Sequence, residues 1–173
     1  MGAIIRVVHG TFERSAVDEL FRSSSADLAP EDMGAIVEFQ GVVRRSSPGR
    51  TVVAMTYDGY APLIVRTLGE IVAEVRAQFG VALACAILVR LGRLDVGEAS
   101  LVIRTGSAHR PPAYGANVAI LEALKARAPI WKCEHTAEGE SVWLEGCCLR
   151  SDHGHSSHES HGAAHAHEHA HAK

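Results

Sequence analysis

The stretch from His109 to Trp143, HRPPAYGANVAILEALKARAPIWKCEHTAEGESVW, decides how this chain folds. It opens with Pro111 and Pro112, which suit the first turn of a helix because a missing N–H group costs nothing there. Apolar residues then recur at helical spacing until Pro129, which disfavours the helical conformation of the residue before it. The stretch therefore predicts a helix that is followed directly by a strand, Ile130–Glu134.

Both predicted elements have a face that should be buried. On the helix, the apolar spacing marks four residues as the inward side: Tyr114, Val118, Leu121 and Leu124. On the strand, alternation places Lys132 on the same face as Ile130 and Glu134. Trp131 and Cys133 then point to the opposite face, and we expect that face to be the inward one.

Basic residues flank this helix and continue onto the strand: His109 and Arg110 precede it, Lys125 lies near its end, and Lys132 follows. We expect these side chains to converge at one helix–strand junction. Because crowded positive charges disfavour one another's protonation, one lysine should lose its proton near neutral pH and serve as a nucleophile or base. The other cations would hold an anionic substrate. The alternative is that both lysines are ordinary surface residues, as most lysines are.

Length and composition indicate one globular domain with a sizeable core, because the chain has 173 residues and 47% hydrophobic residues. A net charge of −3 argues against nonspecific nucleic-acid binding. No apolar run approaches the ~18 residues of a membrane span, and the N-terminus lacks the layout of a signal peptide. The cysteines, which lack zinc-site spacing, are Cys85, Cys133, Cys147 and Cys148. We therefore expect a cytoplasmic, reduced protein.

The remaining elements predict an α+β fold with largely antiparallel sheets. A short strand is followed by a helix with Ser15 as its N-cap and Val17, Leu20 and Phe21 on its inner face. The later elements are a hairpin (Gly34–Val43 and Thr51–Tyr57), a long helix (Ala61–Phe79) capped by Gly80, and the strands Val81–Arg90, Ala99–Thr105 and Ser141–Leu144. This order contains hairpins rather than regular β–α–β alternation, which favours antiparallel pairing.

The C-terminal segment, residues 151–173, differs from the rest of the chain. It holds eight of the 11 histidines and no large apolar residue, so we expect a disordered tail beyond a folded domain of residues 1–150. Four of its histidines alternate along the chain: His165, His167, His169 and His171. Such a run can bind Zn²⁺, Ni²⁺ or Cu²⁺ through imidazole nitrogens. A metal-binding or metal-delivery protein is therefore an alternative function, and a merely solvating tail is the simpler interpretation.

Several motifs together resemble one known family. They are Gly34-Ala35 with Phe39-x-Gly41-x-x-Arg44, Gly92 through Gly97-Glu98, His109-Arg110, and Lys125-x-x-x-Pro129-Ile130-Trp131-Lys132-x-Glu134. In order and spacing, these motifs resemble the large, catalytic subunit of molybdopterin synthase over roughly residues 34–146. The block around the two lysines, with its His-Arg pair upstream, is the most specific of them.

This resemblance implies an α+β fold with an α/β-hammerhead portion. It also implies a heterotetramer, in which two large subunits form a homodimer and each binds a small ubiquitin-like sulfur carrier with a Gly-Gly C-terminus. The carrier's C-terminal thiocarboxylate would deliver sulfur to cyclic pyranopterin monophosphate, and two such transfers would yield the dithiolene of molybdopterin. The resemblance implies no metal, nucleotide or organic cofactor for this step, and neither a nucleic-acid nor a membrane partner.

The family's functional residues match positions in this sequence one by one. Lys125 and Lys132 match its essential lysines, which the resemblance makes the catalytic residues. The implied substrate-binding residues are Val42, Val43, Arg44, His109, Arg110, Cys133 and Glu134. Of these, His109 and Arg110 match a pair that helps to bind the pterin phosphate, and Arg110 would be supplied by the other subunit of the dimer. Cys133 departs from the family, which usually has a second lysine there.

Overall fold

The structure is a computed structural model, and it describes residues 4–24, 28–80 and 82–144. The helices are α1 (Arg14–Ser24), α2 (Ala61–Phe79) and α3 (Arg110–Arg127), with a short 3₁₀ turn at Pro30–Asp32. The strands are β1 (Ile4–His9), β2 (Ala35–Val42), β3 (Ser46–Ser47), β4 (Arg50–Asp58), β5 (Ala84–Asp95), β6 (Ala99–Ser107), β7 (Trp131–Thr136) and β8 (Ser141–Trp143). No helix among these described residues is long and apolar enough to cross a membrane.

The strands pair in the order β2-β6-β5-β4-β7-β8, with β1 beside β5 and β3 beside β4. Every described ladder is antiparallel except the one between β1 and β5. The 12-residue β5 is long enough to pair first with β1 and β6 and then, beyond Leu91, with β4. The predicted α+β class with largely antiparallel pairing is therefore confirmed. No local sequence pattern predicts the single parallel ladder, because β1 and β5 are distant along the chain.

The main core lies between the β-structure and the pair α2 and α3. Buried side chains of α2 recur at helical spacing, and they are Ile64, Leu68, Ile71, Val72 and Val75. Gly80 ends α2 as predicted, with a left-handed φ of 60° that glycine adopts without strain. A salt bridge from Arg127 to Glu74, with a closest N–O distance of 2.5 Å, joins the exposed sides of α3 and α2.

On α3, the predicted inward face is only partly right. Leu124 is buried, but Tyr114 and Val118 are 61% and 59% exposed. The buried face consists mainly of smaller residues: Ala113, Ala116, Asn117, Ile120 and Leu124. These side chains allow α3 to approach α2 closely; a Cβ atom on Gly115 would lie only 2.7 Å from the Phe79 ring. Close packing, rather than the size of the apolar side chains, therefore determines the orientation of the helix.

Hydrogen bonds also help to fix this orientation of α3. Asn117 is buried because its amide donates to the Ile103 carbonyl at 3.1 Å and to the Thr105 hydroxyl at 3.2 Å. In turn, the Thr105 hydroxyl donates to the Ala113 carbonyl at 2.8 Å. A buried amide with such partners avoids the cost of an unmade hydrogen bond. The polar residue therefore faces the sheet, which the apolar pattern alone did not predict.

Two further sequence predictions need correction. Trp131 is 57% exposed rather than inward, because it lies at the margin of the sheet opposite the exposed Asp58. Cys133 is buried, as predicted. Ser15 is not an N-cap, because α1 already begins at Arg14. The inner face of α1 is as predicted, with Val17, Leu20 and Phe21 buried.

A charged cluster holds α1 to the opposite face of the sheet. The Arg104 side chain is 10% exposed, and its guanidinium donates to Asp18 on α1 at 2.5 Å and to Glu38 on β2. It also lies 5.5 Å from the centre of the Phe21 ring, in cation–π geometry. The hydrogen bond from Arg104 lowers the pKa of Asp18 from its usual 3.8. For Glu38, burial raises the pKa, but hydrogen bonds from Gln40 and Arg104 bring it below 4.5.

Candidate active site

A cleft opens where β2, β4 and β7 meet the C-terminal end of α3. It has two adjoining lobes, and six residues line both: Phe39, Gly41, Val42, Tyr57, Lys125 and Lys132. The two lysines therefore share one cavity, although they come from different elements. A register shift beside Gly41 and Val42 interrupts the β2–β6 ladder where β2 reaches the cleft, as bulges commonly do beside functional sites.

One lobe, of about 160 Å³, is mostly apolar. Besides the shared residues, it is lined by Val89, Ser100, Leu101, Leu121, Leu124, Ala128 and Ile130. Its polar residue Ser100 donates a hydrogen bond of 3.1 Å to the Gly41 carbonyl. This apolar lobe can exclude water from one side of a bound molecule, and the lysines at its margin then act in a less polar environment.

The second lobe, of about 530 Å³, is polar. Its further lining residues are Gln40, Val43, Arg44, Ser46, Met55, Glu134 and Leu144. Arg44 and Ser46 belong to the segment between β2 and β4, which includes the short β3–β4 hairpin and forms one wall of the polar lobe. β2 pairs with β6 and not with β4, so the predicted hairpin of Gly34–Val43 with Thr51–Tyr57 is wrong. Three cationic side chains, Arg44, Lys125 and Lys132, thus face one carboxylate, that of Glu134. A cavity with this balance is suited to anionic ligands.

Lys125 lies in the last turn of α3, and its side chain is 53% exposed. Its ammonium contacts the Glu122 carboxylate at 3.1 Å, one helical turn earlier. The charged group nearest to the Lys125 ammonium is therefore an anion, whereas the sequence had suggested crowding by other cations. The helix end also favours positive charge. The Lys125 side chain thus lies at the cleft beside a carboxylate and within reach of a ligand.

Lys132 and Glu134 share one face of β7, as the alternation predicted, and both line the polar lobe. Lys132 is half-buried and lies opposite Tyr57 of β4, while Glu134 lies opposite Met55. The Glu134 side chain is only 5% exposed, and its Oε2 atom has no hydrogen-bond partner among the described residues. A buried carboxylate oxygen in this state retains the capacity to accept a further bond.

Not all predicted site residues reach the cleft. His109 and Arg110 lie at the N-terminal end of α3, and at ~1.5 Å per residue the helix places them about 22 Å from Lys125. The expected convergence within one chain is therefore wrong. Cys133 is buried on the face of β7 opposite Lys132 and does not line either lobe, so its predicted contact with substrate is also wrong for this chain. Strand alternation is the reason.

The sequence also left several lining residues unassigned. Phe39 and Gly41 belong to a quoted motif but were not given a role, and Tyr57 and Ser46 were not singled out at all. Tyr57 could be found only through the register of β4 on β7, which pairs it with Lys132. That register depends on tertiary contacts. Ser46 could be assigned to the cleft, beside Arg44, only once the segment between β2 and β4 was known to lie there.

Within residues 4–24, 28–80 and 82–144, no group of three or more His, Cys, Asp or Glu side chains could hold a metal ion. The predicted tail histidines, His165, His167, His169 and His171, lie outside the described residues. Cys85 is buried in the main core, and burial raises the pKa of its thiol to about 12. This thiol is therefore unreactive at neutral pH.

The fold and the cleft define a class of protein: an α+β protein with a cavity that three cationic side chains line. Residues 10–127 match the MoaE protein family, and the chain belongs to that family. It is 41% identical over 128 residues to the molybdopterin synthase catalytic subunit of Synechococcus elongatus, covering 73% of this chain and 78% of the relative. The catalytic subunit from Nostoc is 37% identical over 145 residues, covering 78% of this chain and 88% of the relative.

A solved structure agrees with these relatives. The crystal structure of molybdopterin synthase from Staphylococcus aureus superimposes with a TM-score of 0.71 at 27% identity, covering 81% of this chain and 96% of that chain. The relatives are named for a step in building the molybdenum cofactor, which places the family in that biosynthesis.

Proposed function

We propose that this chain is a sulfurtransferase of molybdenum cofactor biosynthesis. It would move sulfur from the C-terminal thiocarboxylate of a small ubiquitin-like carrier onto cyclic pyranopterin monophosphate and so form the molybdopterin dithiolene. One observation carries the proposal: Lys125 and Lys132 line the same cleft although one lies on a helix and the other on a strand. The names of the relatives, molybdopterin synthase catalytic subunits, also support this proposal.

The charges of the cleft suit both proposed substrates. The carrier brings an anionic thiocarboxylate, and the pterin brings a phosphate. Arg44, in the wall formed by the segment between β2 and β4, has a planar guanidinium that can hold either group through two parallel hydrogen bonds. Sulfur attack and opening of the cyclic phosphate both develop negative charge, which the ammonium groups of Lys125 and Lys132 would stabilise. Val42 and Val43 would contact the substrate from the end of β2.

The two lobes suggest how the carrier and the pterin share the cleft. A Gly-Gly terminus has no side chains, so it can enter a narrow channel in extended form. The polar lobe has the larger volume and the carboxylate of Glu134, which can accept hydrogen bonds from the N–H groups of a pterin ring. In this arrangement the thiocarboxylate meets the pterin beside the two lysines. No metal, nucleotide or organic cofactor enters the proposed reaction.

The position of Arg110 favours a dimer of large subunits within a heterotetramer. Within one chain, Arg110 is too far from Lys125 to contact the same ligand, so any role at the cleft requires Arg110 of the partner subunit. His109 lies beside it, and the exposed Tyr114 and Val118 on the next turns of α3 offer apolar surface to a second copy. We place the assembled enzyme in the cytoplasm.

The test is reconstitution with a thiocarboxylated Gly-Gly carrier and cyclic pyranopterin monophosphate, with molybdopterin as the measured product. We expect turnover by the wild type and a loss of about 100-fold in Lys125→Ala, the size of effect seen when one charge-stabilising group is removed. Arg66→Ala is the matched control, because Arg66 and Glu70 form a similar exposed pair on α2. Equal turnover in the two variants, or no product from the wild type, would contradict the proposal.

A further inference from the structure

Glu134 presents an unusual feature of the cleft wall. Its side chain is 5% exposed, it faces the polar lobe beside Lys132, and its Oε2 atom is buried without a hydrogen bond. An ionised carboxylate in such a place is costly unless a cation compensates it. Among the described residues, the cation in ion-pair range of Oε2 is not one of the cleft lysines but Arg50, whose Nη1 atom lies 3.9 Å away.

Arg50 reaches Glu134 from the hairpin that forms the cleft wall. It is the first residue of β4, directly after the turn at Pro48 and Gly49, where Gly49 has a φ of 74°. Its neighbour Thr51 accepts a hydrogen bond of 2.9 Å from the Ala137 N–H, which ties the start of β4 to the end of β7. The arginine thus spans from the tip of the wall to the carboxylate below it, with 42% of its side chain exposed.

We propose that Arg50 is a positioning residue of the active site, which acts through the Glu134 carboxylate. This inference rests on the proposed function. Arg50 neutralises and orients the carboxylate, so that Glu134 presents its other oxygen to the substrate. The same contact fastens the hairpin, and with it Arg44 and Ser46, against the polar lobe.

The geometry supports this role rather than a purely stabilising one. A nitrogen–oxygen separation of 3.9 Å is an ion pair without a hydrogen bond, so the contact has room to shorten. A substrate that hydrogen-bonds to the Glu134 carboxylate would also bring the Arg50 guanidinium closer to that carboxylate. The neighbouring Arg45 offers the contrast: its side chain is exposed, and in the described part of the chain it has no carboxylate in ion-pair range and lines neither lobe.

The experiment compares Arg50→Met, Arg50→Lys and the matched control Arg45→Met in the reconstituted synthase. We expect Arg50→Met to raise the KM for cyclic pyranopterin monophosphate about tenfold while kcat changes less than about threefold, because the Glu134 carboxylate is no longer held in place for substrate binding; tenfold corresponds to about 1.4 kcal/mol. Arg50→Lys should recover most of the loss, because it retains the charge. Arg45→Met should match the wild type in KM, kcat and Tm. Arg50→Met should also lower the Tm, because it leaves the buried Glu134 carboxylate without its cation, and Arg50→Lys should restore it.

A double variant tests whether Arg50 acts through Glu134. Adding Arg50→Met to Glu134→Gln should change kcat/KM by less than about twofold, because the charge that Arg50 compensates is already absent. Independent, multiplying effects would overturn the inference. So would a KM for Arg50→Met equal to that of Arg45→Met, or a fall in Tm without rescue by lysine. If the wild type itself makes no molybdopterin, the proposed function fails; if it does, these results concern Arg50 alone.

Discussion

Two buried charged residues, Arg104 and Glu134, lie on opposite sides of the β-structure and have very different partners. Arg104, on the α1 side, makes hydrogen bonds to two carboxylates and lies over an aromatic ring. Glu134, in the cleft, has one loose ion pair and a buried oxygen without a hydrogen bond. Their exposures are similar, at 10% and 5% of the side chain, so burial does not explain the difference.

The difference shows what each site contributes. A buried charge with all its partners in place stabilises the fold, or at least costs it little. A buried charge with too few partners costs the free protein stability. We therefore assign the Arg104 cluster to the architecture of the fold, and we propose that the surroundings of Glu134 serve function. Each of the following changes tests that division.

The largest expected effect is the loss of stability in Arg104→Met. Removing the guanidinium leaves Asp18 and Glu38 without their cation, and breaking a largely buried pair from one side costs about 3 kcal/mol. Urea unfolding followed by circular dichroism would measure it. Lys125→Ala, which removes only an exposed pair, should change the free energy of unfolding by less than about 0.5 kcal/mol. Similar losses in both variants would refute the division.

The next effect compares two glutamates, changed in the same way. Glu134→Gln should lower molybdopterin formation about tenfold and leave the free energy of unfolding unchanged or slightly higher, because it removes an under-compensated buried charge. Glu38→Gln should destabilise the protein by about 1.5 kcal/mol, because it weakens the bond to Arg104, with turnover retained. Steady-state assays and urea titrations of both variants give the comparison. A loss of stability in Glu134→Gln would contradict it.

A smaller effect concerns pH. The hydrogen bond from Arg104 holds the pKa of Asp18 below 3.8, and despite burial the bonds from Gln40 and Arg104 hold the pKa of Glu38 below 4.5. Groups with a depressed folded-state pKa stabilise the fold above their unfolded values and lose that contribution as pH falls through the folded ones. The free energy of unfolding should therefore decrease below pH 4.5, and less steeply in Arg104→Met. Urea titrations across this range provide the measurement; equal slopes would count against the cluster.

The sequence predicts features that depend on interactions between residues close together along the chain, and it does not predict features that depend on distant residues. The helix Ala61–Phe79 and its Gly80 cap were predicted with the bounds that the structure has, because helical spacing and a terminal glycine are local signals. The shared face of Lys132 and Glu134 followed from strand alternation. The pairing of β1 with β5 depends on residues far apart in the chain, and no local pattern encodes it.

The candidate site was predictable to the same extent. Arg44, Lys125 and Lys132 were identified as motifs, and the fold brings them to one cleft. The contact of Arg50 with Glu134 could not be predicted, because it depends on the register of β4 beside β7 and on a long side chain that crosses between strands. The inward position predicted for Tyr114 was wrong for a related reason. Large apolar residues mark the buried face of a helix only when small residues on another face do not allow closer packing.

The smallest expected effect comes from Cys133→Ala, and it separates the two faces of β7. The thiol is buried opposite Lys132, so its removal should leave a small cavity and cost about 1 kcal/mol of unfolding free energy. Turnover should stay within about twofold of the wild type, since no atom facing the cleft is changed. Lys132→Ala, one position earlier, is the control, with little loss of stability and a large loss of turnover. Loss of activity without loss of stability in Cys133→Ala would contradict this division of β7 into a cleft face and a buried face. The contrast between architecture and cleft would then fail at two neighbouring residues.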